Sequence, residues 1–184
     1  MQIVLGVSAS AACYKACTLA SRLTQARFAV DVVLTPHAAQ LIAPRLFAAL
    51  TGRPALVDEF AAESSEAMAH IALADRAELC LVAPATAATI AKLAHAQADD
   101  LLSTLALALR PETPRWIAPA MNPRMFLHPG VQQNLRSLVA QGWRQLEPEA
   151  GWLACGDRGP GRMMEPEQIA ELVVAWREAQ ASGR

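Results

Sequence analysis

The sequence predicts an α/β fold, a doubly wound parallel sheet of the Rossmann or flavodoxin-like three-layer kind, in a single domain. Three observations predict it. Apolar runs of strand length recur along the chain, at residues 2–7, 28–34, 79–83 and 116–118. Segments with apolar residues at helical spacing separate them, and that alternation builds a parallel sheet covered by helices on both faces. The 184 residues are 53% hydrophobic with a mean hydropathy of +0.21, enough for one sizeable core and too apolar for disorder.

Bulk composition also removes function classes. A formal net charge of −1 and a pI near 6.4 leave no basic footprint for nucleic acid or an anionic membrane. No apolar run approaches the roughly 18 residues of a spanning helix. The chain begins directly on a strand-like run without a basic leader, so a cytoplasmic location is expected. Cys13, Cys17, Cys80 and Cys155 form no Cys-x-x-Cys pair, so neither a metal site nor a disulfide framework is expected.

Taken in order, residues 2–7 form a strand followed by Ser8-Ala9-Ser10 and a helix whose Ala12, Ala16, Leu19, Ala20 and Leu23 share a face. A strand, a small-residue loop and a helix start together bind phosphate on free backbone N–H groups, with Ser8 and Ser10 adding hydroxyls. The loop is neither GxGxxG nor a Walker sequence, which lowers the case for dinucleotides and NTPs. A plain helix cap at Ser10 explains the same residues. Residues 28–34 are a second strand, and Thr35-Pro36 reads as N-cap and N1 of the next helix, which Pro44 divides in two. Thr35 either closes the phosphate pocket or simply caps; His37, one residue further, reads as surface.

Residues 52–65 are turn-rich, with a short strand expected at 55–57, before a helical pattern over 66–77 that contains His70. Position alone makes His70 structural, whereas its chemistry suits proton transfer near neutral pH. Residues 79–83 are a central strand leading into Pro84-Ala85-Thr86-Ala87-Ala88-Thr89. The two threonines offer hydroxyls at a helix start, and the alanines let a flat ring approach the backbone. Helical patterns follow at 90–94 and 99–109. The strand at 116–118 ends in Pro119-Ala120-Met121-Asn122, and a parallel sheet binds ligands beyond such strand ends. An ordinary Asn-Pro turn fits Asn122 equally well. A helix at 131–140 and a last strand at 143–146 come next. Residues 149–164 hold Cys155 among glycines and read as a mobile flap, and 165–177 closes the chain as a helix.

Together these stretches resemble the homo-oligomeric flavin-containing cysteine decarboxylases over nearly the whole chain, residues 4–166. Residues 6–15 are similar to the family's first phosphate loop, and 84–89 to its Pro-Ala-Ser-Ala-Asn-Thr motif. Residues 119–126 are similar to Pro-x-Met-Asn-x-x-Met-Trp, and 154–163 to the substrate clamp. The resemblance implies FMN held by Ala9, Ser10, Ala11, Thr35, His37, Thr86, Ala87, Ala88, Thr89, Ala120 and Met121. It implies His70, Asn122 and Cys155 as catalytic, and Asn122, Met125, Ala154 and Cys155 against the substrate. Phosphopantothenoylcysteine is the substrate it implies, with a trimer or dodecamer as the assembly and the active site at a subunit boundary.

The implied reaction oxidises the carbon bearing sulfur, releases CO2 from the thioaldehyde, and returns hydride to the enethiol with a proton from Cys155. Asn122 holds the carboxylate and His70 moves the thiol proton. Four positions depart from the family pattern: Ala9 stands for glycine, Ala72 for glutamate, Ala88 for asparagine and Phe126 for tryptophan. Ala9 requires a backbone without positive φ. The rivals are a peptidyl-cysteine decarboxylase that stops at the enethiol, a flavin prenyltransferase, and a non-catalytic FMN-binding regulatory subunit. Cys155 in its glycine-rich setting argues against the first, and Asn122 with that segment does not fit the second. Bacterial members of the family often carry a second, ligase domain, and this chain ends before one.

Overall fold

Strands form where the apolar runs are, because residues buried on both faces of a sheet need no polar alternation. The computed structural model describes residues 1–58, 68–152, 156 and 158–182. Strands β1 (Gln2–Val7), β2 (Ala29–Leu34), β3 (Leu79–Ala85), β4 (Arg115–Pro119) and β5 (Trp143–Gln145) make one parallel sheet in the order β2-β1-β3-β4-β5. The chain turns left from β1 and right from β3. The carboxyl ends of those two neighbours are therefore the topological switch point, where open α/β sheets bind ligands.

Helices cover both faces. Ile3, Leu5 and Val7 pack with Ala16, Leu19 and Leu23 of α1 (Cys13–Gln25) and with Ile169 and Val173 of α9 (Pro166–Ser182). Helices α2 (Pro36–Leu41) and α3 (Pro44–Thr51) add Ala38 and Phe47 to this side, and the two are separate, as Pro44 requires. On the opposite face Val4, Cys80 and Val82 meet α4 (Ala69–Arg76), α5 (Ala87–Ala94), α6 (Leu101–Ala108) and α8 (Pro129–Ala140). Asp100 caps α6 in a reciprocal box with Ser103, and Lys92 pairs with Asp100 at 2.8 Å. The buried Asp31 of β2 takes Arg76 at 3.2 Å and Arg53 at 2.6 Å, which fixes the last turn of α4 to the sheet. Among the described residues no helix is long and apolar enough to cross a membrane.

Three local expectations change. The short strand at 55–57 is a single bridge, Leu56 to Val33, because proline and arginine before it and Asp58 after it leave no run to pair. The flap at 149–164 contains a two-stranded antiparallel hairpin, β6 (Glu149–Trp152) and β7 (Arg158–Arg162). Asn122, which an ordinary turn would also have fitted, is the N-cap of a four-residue helix, α7 (Pro123–Phe126), with Pro123 at N1.

Candidate active site

The carboxyl ends of β2, β1, β3 and β4 are stitched side by side. The Thr35 N–H donates to the Val7 carbonyl at 2.9 Å, and the Ala120 N–H to the Ala85 carbonyl at 3.0 Å. Between them lies Ser8, 1% exposed, whose hydroxyl donates to the Pro84 carbonyl at 2.8 Å and accepts the Thr86 N–H at 2.9 Å. The expectation that Ser8 offers its hydroxyl to a ligand is thus corrected. Burial and two protein partners make it the staple between the β1 and β3 loops. Ser8→Ala is expected to cost about 1–3 kcal/mol by orphaning the Thr86 N–H. Thermal unfolding and cofactor titration will show whether both stability and cofactor affinity fall.

Beyond the staple the first loop opens. Ser10 Oγ accepts the Ala12 N–H at 3.2 Å and the Ser10 carbonyl accepts the Cys13 N–H at 3.0 Å, while Ala12 is the residue that caps α1. The N–H groups of Ala9 and Ala11 have no partner among the described residues. Such donors at a helix start suit an anion. Among the described residues the positive-φ positions other than glycine are Arg27 and Ala96, so Ala9 sits in ordinary backbone and its departure from glycine carries no strain.

At the neighbouring ends, Thr35 Oγ1 caps α2 by accepting the Ala38 N–H at 3.2 Å, and His37 is exposed in the first turn. Thr86 Oγ1 caps α5 through the Thr89 N–H at 3.3 Å and lies 3.2 Å from Thr89 Oγ1. Ala87 is half-buried and Ala88 exposed beside them. Capping and ligand binding use different lone pairs and protons of a hydroxyl, so both remain open to these threonines.

An open cleft of about 230 Å³ lies against this end of the sheet. Its walls are Ser10, Ala11, Ala12, Tyr14 and Lys15 from the start of α1, Ala120, Met121 and Asn122 after β4, and Trp152, Gly161, Arg162 and Met163 from the hairpin. The structure thereby brings Ser10, Ala11, Ala120, Met121 and Asn122 together. Thr35, His37, Thr86, Ala87, Ala88, Thr89, His70 and Met125 do not line this cleft. Tyr14, Lys15, Trp152 and Arg162 were missed by sequence reasoning. The available signal was a lysine and a tyrosine in the first turn of a helix that follows a small-residue loop.

Asn122 is held by its own cap: Oδ1 accepts the Arg124 N–H at 2.8 Å. Accepting there fixes which edge of the amide donates, and Nδ2 is the edge a carboxylate needs. The hairpin is seated beside it, because the Met121 N–H donates to the Gly161 carbonyl at 2.9 Å. His70 lies half-buried in the first turn of α4, on the face of the sheet opposite α1. Met125 is exposed on α7. Ala154 and Cys155 lie outside the described residues. Burial pushes the Cys80 thiol up to about 12 against the opposing charge of Arg115, and burial also raises Cys13 and Cys17. None of these three is a ready proton donor at neutral pH.

The small side chains and free donors at the α1 loop, the threonine pair at α5 and the cleft-lining Ala120 and Met121 fit a flavin that carries a phosphate. The comparisons agree with that chemistry. The family model described as Flavoprotein matches residues 1–178. The chain is similar to the coenzyme A biosynthesis bifunctional protein CoaBC of Bacillus subtilis, at 45% identity over 92% of this chain and 41% of that protein. It therefore spans about two fifths of the length of that relative. It is also similar to a probable phosphopantothenoylcysteine decarboxylase of Streptococcus mutans, at 38% identity over 94% of this chain and 96% of the other. Among solved structures, a cysteine-to-serine mutant of PPC decarboxylase complexed with pantothenoylaminoethenethiol superposes with a TM-score of 0.86. That match has 28% identity and covers 96% of this chain and 98% of the other. The FMN-dependent cysteine decarboxylase SpaF gives a TM-score of 0.81 at 30% identity, covering 96% of each chain. On the family model and these relatives, the chain is a member of the Flavoprotein family.

Proposed function

We propose that this chain is an FMN-dependent decarboxylase that converts phosphopantothenoylcysteine to phosphopantetheine and CO2 in coenzyme A biosynthesis. The observation that carries the reading is that the Asn122 cap and the glycine-rich hairpin beside it line one cleft together with the start of α1, at the carboxyl end of the sheet. Residues Ser10 and Ala11, with Thr35, Thr86 and Thr89 at the adjoining strand ends, would hold the phosphate of FMN, and Ala120 and Met121 the ring. Bound there, FMN supplies a two-electron acceptor and donor.

The chain's own residues do the rest. Asn122 Nδ2 donates to the substrate carboxylate and orients it, so that CO2 leaves from a fixed position. Lys15 and Arg162, two cations sharing the single carboxylate of Glu165, leave the cleft wall net positive for an anionic substrate. His70 serves the thiol proton, and Cys155 gives a proton to the product carbon. A homo-oligomer, trimer or dodecamer, belongs to this reading. His70 stands outside the cleft that Asn122 lines, and a neighbouring copy supplying it accounts for both positions. The expected setting is cytoplasmic.

The experiment that tests the assignment is product mass for two variants. Cys155→Ser is expected to release CO2 yet accumulate the enethiol, two hydrogens below the saturated product, because a hydroxyl is a far weaker acid than a thiol with a pKa of about 8.5. His70→Asn is expected to release little CO2. Saturated product from Cys155→Ser at the normal rate would remove Cys155 from the proton path.

A further inference from the structure

Lys15 is 6% exposed, and burying an ammonium costs several kcal/mol unless it is paired and hydrogen-bonded. Here its Nζ lies 2.9 Å from Glu165 Oε2 and 3.3 Å from the Met163 carbonyl. Glu165 takes the Arg162 guanidinium on its other oxygen, Oε1. Burial alone would raise the Glu165 carboxyl, but the hydrogen bond and charge of Lys15, joined by Arg162, outweigh it and hold the carboxyl below its ordinary range. Arg162 in turn lies across β6: a Cβ added at Gly151 would sit 3.1 Å from its Nη1. One continuous path of charged groups therefore runs from the first turn of α1 through Glu165 and Arg162 to both strands of the hairpin. Two of its members, Lys15 and Arg162, also face the cleft.

Stability alone does not account for such a path. Apolar residues of similar volume usually replace buried ion pairs at little cost, whereas a charge network fixes one arrangement of the elements it joins. The elements joined here are the start of α1 and the hairpin, which also meets the segment after β4 through the Met121–Gly161 hydrogen bond and through Gly159 against Pro123. We propose that Lys15 and Glu165 are positioning residues. Through Arg162 they clamp the β6–β7 hairpin against the start of α1, and so set how Trp152 and Arg162 wall the cleft. The inference rests on the proposed function for its chemical consequence, though not for its structural one.

The test uses the FMN-loaded protein and the variants Lys15→Met, Glu165→Gln and Lys15→Arg. Hydrogen exchange is expected to quicken at least tenfold in peptides covering β6 and β7 for Lys15→Met and Glu165→Gln, while peptides on β1 and β3 keep their rates. Lys15→Arg, which restores the charge, is expected to bring hairpin exchange back to within about threefold of the original protein. With phosphopantothenoylcysteine, Lys15→Met is expected to raise the enethiol share of the product tenfold, and Lys15→Arg to lower it again. Unchanged hairpin exchange in Glu165→Gln overturns the clamp, as does a uniform rise across the sheet. An unmoved product ratio beside quickened exchange overturns its role in the reaction. If the original protein releases no CO2, the proposed function fails while the exchange arm still decides the clamp.

Discussion

Asn122→Asp is expected to reduce decarboxylation by about a thousandfold while leaving FMN bound and the melting temperature little changed. The fold tolerates the change because the position is a helix cap. Asp accepts the Arg124 N–H as readily as Asn does, so α7 and the end of β4 keep their geometry. What the substitution removes is the donor edge of the amide. It places a second carboxylate where the proposed function seats the substrate carboxylate, exchanging an attraction for a repulsion. Steady-state turnover, the flavin absorbance band and a thermal scan on one preparation separate these effects. Turnover near that of the original protein would make Asn122 a turn residue with no part in the chemistry.

Gly161→Ala is expected to lower kcat/KM by about a hundredfold, the scale of a misplacement of about 1 Å at a site. Gly161 has φ of +113°, and an added Cβ would lie 2.4 Å from the Met121 carbonyl oxygen, a backbone atom with no freedom to yield. The hairpin must therefore lift from the segment after β4, losing the Met121–Gly161 hydrogen bond and disturbing the buried Met163 behind it. The sheet and its two cores contain little of the hairpin, so the melting temperature should fall far less than the activity. A variant with normal kcat/KM would show that the hairpin's contact with Met121 has no bearing on catalysis.

The contrast between these two sites shows what was legible in the sequence. The apolar run before Asn122 announces the strand, and the position of Asn122 beyond β4 followed from that local signal. Asn122-Pro123 fits an ordinary turn as well as a helix start, so the four-residue helix was not announced. The hairpin was not legible. Arg158-Gly159-Pro160-Gly161-Arg162 has neither alternation nor β-formers, and its partner strand and the close approach of Gly161 to Met121 are both non-local. Ser8 shows the same limit. Its hydroxyl looked like a ligand's partner until the strand order brought Pro84 and Thr86, more than seventy residues away, against it. Lys15 was hidden for a similar reason, since its partners Met163 and Glu165 lie at the far end of the chain. Periodicity fixes which residues are inside; which loop closes on which strand end depends on contacts that no local window contains.

The most direct measurement is incubation of the purified, FMN-saturated protein with phosphopantothenoylcysteine, followed by mass analysis of the product and detection of CO2. The account predicts a yellow protein that converts the substrate to the saturated amide-thiol, lighter by one CO2 with no hydrogens missing. Substrate recovered at its original mass, with no CO2 evolved by a protein that has flavin bound, would contradict it.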